Sequence, residues 1–146
     1  MAGKEPELGP TSRTVTENVK RWRQERNMSY KQLSDKLQAD AGWSINPVGV
    51  RRIETGERRV TPDDLTALAV ALGVSPITLL MPWLPDLEQT DMVEVTGVNA
   101  KMPAENLWKW LMGEMSLVPG RALSFLEDST PRWEHAQWIK DDSDGR

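Results

Sequence analysis

Ile45-Asn46-Pro47-Val48-Gly49-Val50-Arg51-Arg52-Ile53-Glu54-Thr55-Gly56 carries its own start and stop signals. Asn46 is placed to cap a helix by accepting from an orphan backbone N–H, and Pro47 is preset for the first helical position. Ile45 before the cap can staple onto Val50, and Gly56 can take the left-handed conformation that ends a helix. At about 100° per residue, Val50 and Ile53 share one face while Val48, Arg51, Arg52 and Thr55 share the opposite one. A short helix with a thin apolar footing and two outward arginines suits the major groove of DNA. A solvated surface helix has the same pattern, so the flanking chain decides between the two.

Working outward, the same start chemistry recurs. Met28-Ser29-Tyr30-Lys31-Gln32-Leu33 gives staple, cap and box partner in order. Val60-Thr61-Pro62-Asp63-Asp64-Leu65 and Val74-Ser75-Pro76-Ile77-Thr78-Leu79 repeat the staple and cap. These starts predict helices over 30–41, 47–55, 62–72 and 76–81, closed by Gly42, Gly56, Gly73 and Pro82. Thr14 with Glu17 has the form of a further capping box, which predicts a helix from there to about Arg26, with Asn27 as terminator. The expected core is Leu33, Leu37, Val50, Ile53, Leu65, Leu68, Ala69, Leu72, Leu79 and Leu80. Five short helices make an all-α domain over 14–83, preceded by a flexible arm at 1–13.

Beyond Pro82-Trp83-Leu84-Pro85 the character changes. Residues 84–127 form a C-terminal extension with a β-prone piece at Met92–Val95 and a turn near Gly97. Pro103-Ala104-Glu105 opens an amphipathic helix to about Met115, with Ala104, Leu107, Trp108, Leu111, Met112 and Met115 on its apolar side. Ala122–Leu126 is a candidate further turn. Residues 128–146 read as a loose acidic tail ending in Asp141-Asp142-Ser143-Asp144.

Composition narrows the function classes. The 146 residues include no cysteine, which excludes disulfides and thiolate metal sites. No apolar run reaches the length of a membrane span. The net charge of −4 is unevenly spread: residues 11–83 hold 11 Lys and Arg against 8 Asp and Glu, a surplus of three positive charges, and the remainder is acidic. Segregated positive charge is what a phosphate-binding face requires. Enzymatic chemistry finds no support. The single histidine, His135, stands in the tail, with no Gly-rich phosphate loop and no nucleophile–base pair. No metal or cofactor is expected, and the chain reads as cytoplasmic.

The helices at 29–41 and 47–55 in series, the run Arg52-Ile53-Glu54-Thr55-Gly56, and the closing Ala71-Leu72-Gly73-Val74-Ser75-Pro76 resemble the Cro/lambda-repressor-type (XRE-like) helix-turn-helix family over residues 14–83. The resemblance implies a five-helix, lambda-repressor-like domain that binds double-stranded DNA, with helix 47–55 in the major groove and helix 30–41 across the backbone. Pro47, Val48, Arg51 and Arg52 are then the expected base contacts, the arginines reaching guanine in bidentate fashion. Tyr30, Lys31, Asn46, Thr55, Arg58 and Arg59 are the expected phosphate contacts; packing on a neighbouring helix is the competing role for Tyr30. Glu54 would repel phosphate if it faced DNA. In this family the matching acid commonly pairs with an arginine of the first helix, here Arg23, so a structural ion pair is expected.

One departure from the family stands out. The turn Ala39-Asp40-Ala41-Gly42-Trp43-Ser44-Ile45 is several residues longer than usual. Trp43 is expected to plug the flank of the core, with a contact to DNA as the alternative. The function expected is a sequence-specific transcriptional regulator, a repressor, acting as a homodimer on paired half-sites. The competing class is a protein-interaction or antitoxin-like module. Seven tryptophans (Trp22, Trp43, Trp83, Trp108, Trp110, Trp133 and Trp138) leave room for a protein partner at 102–146, and Trp110, off the main stripe, points that way.

Overall fold

The computed structural model describes residues 7–135; the start of the arm, Trp138 and the acidic run at Asp141–Asp144 lie outside them. Five helices lead the chain: α1 Pro10–Glu25, α2 Tyr30–Ala41, α3 Pro47–Glu54, α4 Pro62–Leu72 and α5 Pro76–Leu80. Their starts follow from side-chain caps. Ser29 Oγ accepts from the Gln32 N–H while Gln32 Oε1 accepts from the Ser29 N–H, and Thr61 and Asp64 form the same reciprocal box. Asn46 Oδ1 accepts from the Gly49 N–H at 2.7 Å, and Ser75 Oγ from the Ile77 N–H at 3.3 Å. Each such cap is worth about 1 kcal/mol. Gly42 ends α2 at φ +59°, a left-handed conformation in which a Cβ would be strained.

The first helix departs from expectation. The Thr14–Glu17 box does not form: α1 begins at Pro10 with Gly9 at its cap, and Thr14 lies buried within it. The reason is tertiary. The Thr11 N–H donates to Thr96 Oγ1 at 3.2 Å, and the Thr96 N–H donates back to Thr11 Oγ1 at 2.9 Å, so a residue 85 positions away supplies the cap. The arm expected over 1–13 therefore gives way to helix from Pro10 onward.

Val15 and Val19 of α1, Leu33 and Leu37 of α2, Val50 and Ile53 of α3, Leu68, Ala69 and Leu72 of α4, and Leu79 of α5 share one buried core, with Leu65 and Leu80 half-buried at its margin. Asn18 adds a polar tie. Its buried amide donates to the Leu79 carbonyl at 3.0 Å and the Met81 carbonyl at 2.8 Å, closing the end of α5 onto α1.

The extension has a second, smaller core. Strand β1 (Met92–Val93) pairs antiparallel with β2 (Met102–Pro103), Val93 opposite Met102. This ladder and α6 (Ala104–Leu111) bury Val93, Val95, Met102, Ala104 and Leu107, with Met81, Leu87, Trp110, Leu111 and Leu117 packed against them. Helix α6 ends four residues before the expected Met115, because Gly113 turns left-handed at φ +77° and the Glu114 N–H folds back to the Lys109 carbonyl. Trp108 and Trp110 exchange their expected roles. Trp110 packs inward, whereas Trp108 is 44% exposed beside Met112 on the outer side. Helix α7 (Ala122–Ser129) is longer than the single turn expected and buries none of its residues fully. Residues 132–135 are helical again, so the chain past Asp128 is not uniformly irregular as far as it is described. At the junction, Arg21 stacks between the rings of Trp22 and Trp83, 4.6 and 4.3 Å from their centroids.

Candidate nucleic-acid interface

Helix α3 buries Gly49, Val50, Ile53 and Glu54 and exposes Pro47, Val48, Arg51 and Arg52. The division follows from the 3.6-residue period acting on a sequence with few apolar residues. Because Asn46 caps one end and Thr55 and Gly56 close the other, the exposed row sits on a short rod fixed at both ends. Asn46, Val48, Gly49, Arg52, Glu57, Arg58 and Arg59 surround one concave surface of about 410 Å3. Residues from the cap, the helix and the following loop thus converge, with three arginines and one carboxylate around a single depression.

The charges in this depression differ in how firmly they are held. Arg52 Nε lies 3.9 Å from Glu57 Oε2 with both side chains more than half exposed, an arrangement worth little in water. Lys31, at the start of α2, pairs with Asp35 across one helical turn and is also well exposed. Thr55 Oγ1 donates to the Arg52 carbonyl at 3.2 Å. Arg58 is different. Its Nη2 lies 3.4 Å from each oxygen of Asp64, a carboxylate whose side chain is 2% exposed. Across from that contact, a Cβ placed on Gly49 would stand only 2.9 Å from Arg58 Nη1. The Arg58 guanidinium therefore lies between the first turns of α4 and α3, and glycine at 49 leaves room for it and for Ile45 Cγ2, which would stand equally close.

Tyr30 is half-buried. Its ring packs on the main core and carries the Arg23 guanidinium 4.4 Å from its centroid. Arg23 in turn meets Glu54 through two bonds, Nε to Oε1 at 2.5 Å and Nη2 to Oε2 at 3.0 Å, while its Nη1 donates to the Met28 carbonyl at 2.7 Å. Glu54 thus points away from the exposed row. The hydrogen bond to Glu54 is the main reason the Arg23 pKa is raised, with burial opposing it. The pair joins α1 to α3 from beneath and fixes how α3 is presented.

The long turn between α2 and α3 is ordered by its own bonds. The Trp43 N–H donates to the Leu37 carbonyl at 3.2 Å, Ser44 Oγ to Gln38 Oε1 at 2.6 Å, and Ser34 Oγ to the Ile45 carbonyl at 2.6 Å. Ile45 is buried, and Trp43 as a residue is 37% exposed. The Trp43 indole Nε1 donates to Asp64 Oδ1 at 2.8 Å. This tie to α4 is a role that the residues alone did not suggest. Burial would raise the Asp64 pKa, but bonds from Trp43 and Thr61 and the charge of Arg58 outweigh it and hold the pKa below its ordinary value. Sequence reasoning passed over Gly49 and Glu57 in the depression and the buried Asp64 behind it. Asp64 was readable only as a capping-box residue; of its other two partners, Arg58 stands six positions before it and Trp43 comes from the turn 21 positions away.

The family model described as helix-turn-helix matches residues 19–79. No curated protein and no solved structure gives a significant match to the chain. The matched span runs from within α1 through α5 almost to its end and includes the whole of α2, the long turn and α3. Among the described residues no helix is long and apolar enough to cross a membrane. Residues 19–79 therefore form a Cro/C1-type, XRE-like helix-turn-helix domain, the fold of a DNA-binding regulator.

Proposed function

We propose that the chain is a sequence-specific transcriptional repressor that reads the major groove of double-stranded DNA with α3. The observation that carries this reading is the exposed row Pro47, Val48, Arg51 and Arg52 on a helix capped at both ends, beside the depression shared with Asn46, Arg58 and Arg59. Arg51 and Arg52 supply bidentate donors for guanine O6 and N7, and Pro47 and Val48 offer apolar contact to thymine methyls. Lys31, Asn46, Thr55, Arg58, Arg59 and the Tyr30 hydroxyl hold the phosphate backbone on either side. Residues 14–83, with α1 extended back to Pro10, make the DNA-binding unit, and 84–127 the extension.

The exposed Trp108 on α6, Met112 at its C-cap and Leu123 on α7 favour protein contact through the extension. The simplest occupant is a second copy, placing two α3 helices on paired half-sites about one helical turn apart. The setting proposed is the cytoplasm, and no cofactor takes part.

Selection of bound fragments from a random duplex pool, followed by footprinting, tests the reading. The wild-type chain is expected to enrich a short, two-fold-related site. Arg52→Ala should flatten preference at one base position in each half-site, at about 1–3 kcal/mol of discrimination. A pool that stays unselected at low salt would overturn sequence-specific recognition. Sedimentation of the chain with and without its selected site reads the stoichiometry, and a single copy per site would remove the dimer.

A further inference from the structure

We infer that Trp43, carried by the long turn between α2 and α3, is a positioning residue for the Arg58 phosphate contact, acting through the buried carboxylate of Asp64. This inference rests on the proposed placement of Arg58 against the DNA backbone.

The geometry is a three-residue relay. Asp64 Oδ1 receives the indole N–H of Trp43 at 2.8 Å, and Asp64 Oδ2 receives the Thr61 N–H at 3.1 Å. Both oxygens then meet the same nitrogen of Arg58 at 3.4 Å, a longer and weaker contact than either neutral donor makes. A buried carboxylate must find donors for its lone pairs. Here neutral N–H groups take the close positions, so the guanidinium is steered by charge without being drawn in fully. It stays 38% exposed along the rim it shares with Asn46, Val48 and Arg52. Gly49 leaves the channel through which it reaches that rim.

Removing the indole donor leaves Asp64 Oδ1 with only the long contact to Arg58. The carboxylate then competes with phosphate for the guanidinium, and Arg58 is recruited inward. The longer turn thus serves the DNA surface without touching DNA. It supplies one donor to a residue of the α4 capping box, and the capping box positions an arginine of the α3–α4 loop.

The test is the salt dependence of binding to a fluorescent random-sequence duplex of about 30 base pairs. The slope of log affinity against log salt falls by about 0.9 for each phosphate that the protein no longer neutralises. Arg58→Ala is expected to lower the slope by about one unit. Trp43→Phe, which keeps an aromatic ring without the donor, should lower it equally. The double variant Trp43→Phe with Arg58→Ala should show no further drop. Trp43→His puts a ring N–H where the indole N–H stood, because imidazole matches the five-membered half of indole. Near pH 8.5, where the imidazole is neutral, it should retain the wild-type slope. Circular dichroism on each variant confirms that binding is measured on folded protein, and Trp43→His carries the test if Trp43→Phe does not fold.

A merely structural tryptophan would change affinity or melting temperature but not the slope. An unchanged slope in Trp43→Phe with a reduced slope in Arg58→Ala would therefore overturn the positioning role, as would a Trp43→His slope as low as that of Arg58→Ala. An unchanged slope in Arg58→Ala would remove the phosphate contact and this inference with it, leaving α3 recognition standing. Salt-independent binding, or none, by the wild-type chain would instead overturn the parent reading.

Discussion

The helix-turn-helix half and the extension are built by different means. In the first, α2, α3, α4 and α5 each begin on a side-chain cap, and the buried carboxylates and Asn18 are matched: Glu54 to Arg23, Asp64 to Trp43 and Thr61, Asn18 to the end of α5. In the second, neither α6 nor α7 has a side-chain cap, and the buried apolar side chains are Val93, Val95, Met102, Ala104 and Leu107. A core of that size, with the ladder confined to Met92–Val93 and Met102–Pro103, cannot offset the ordering of some fifty residues by itself. The helix-turn-helix half owes its order to local signals and its own core. The extension owes much of its order to the half it leans on.

The largest expected effect breaks a buried pair in the first half. Arg23→Ala leaves the Glu54 carboxylate, its side chain 2% exposed, without its charge partner, and should destabilise the domain by about 3–5 kcal/mol in denaturant unfolding. A loss under about 1 kcal/mol would mean the pair behaves as an exposed one. Next comes a direct contrast of the two cores. Leu68→Ala and Leu107→Ala each remove a fully buried side chain, at about 2–5 kcal/mol locally. Leu68→Ala should abolish DNA binding together with helicity, whereas Leu107→Ala should release the extension and leave duplex binding by 10–83 largely intact. If both variants lose binding alike, the two halves fold as one unit and the contrast fails.

A smaller effect reads the Asp64 network through pH. Burial pushes the Asp64 pKa up, but the bonds from Trp43 and Thr61 and the charge of Arg58 bring it below the ordinary 3.8. A carboxyl with a depressed folded-state pKa contributes stability above its unfolded value and loses it as pH falls through the folded one. Melting temperature should therefore drop as pH falls below 3.8, and Asp64→Asn should be less stable at neutral pH with a shallower acid limb. An Asp64→Asn acid limb as steep as the wild type's would assign the acid sensitivity to other carboxylates.

What was legible in the residues tracks the same division. Caps, staples and left-handed glycines act within a few positions of one another, so the bounds of α2 and α4 and nearly all those of α3 and α5 follow from sequence. The exposed row on α3 follows from periodicity. Three features of the first half were not legible, the first being the start of α1, capped by Thr96 from the extension. Trp43 meets Asp64 across 21 positions, and Gly49 is shaped by a side chain from the next loop. None leaves a periodic trace. In the extension, helical periodicity placed both Trp108 and the outer end of α6 on the buried side, because it carried one stripe through to Met115 where the helix ends at Leu111. The observed core takes Trp110 because Met81, Leu87 and the strand ladder cover that flank.

The smallest predicted effect lies where the halves meet. The first turn of α1 has no side-chain cap of its own, and Gly9 supplies none. Thr96 provides it from the extension by accepting from the Thr11 N–H, and the Thr96 N–H returns a bond to the Thr11 hydroxyl. Thr96→Val keeps the shape of the side chain and removes the acceptor. Losing a cap costs about 1 kcal/mol, so the variant should melt a few degrees lower, and amide exchange should quicken in the first turn of α1 while α3 stays protected. The effect should vanish in a chain ending at residue 83, where that turn is already uncapped. Were Thr96→Val as stable as the wild type, the apolar contacts and the surviving bond from the Thr96 N–H would carry the join between the halves. Were the loss several kcal/mol, the threonine pair would be the hinge on which the order of the extension depends, and the small second core would matter less than its one polar link to α1.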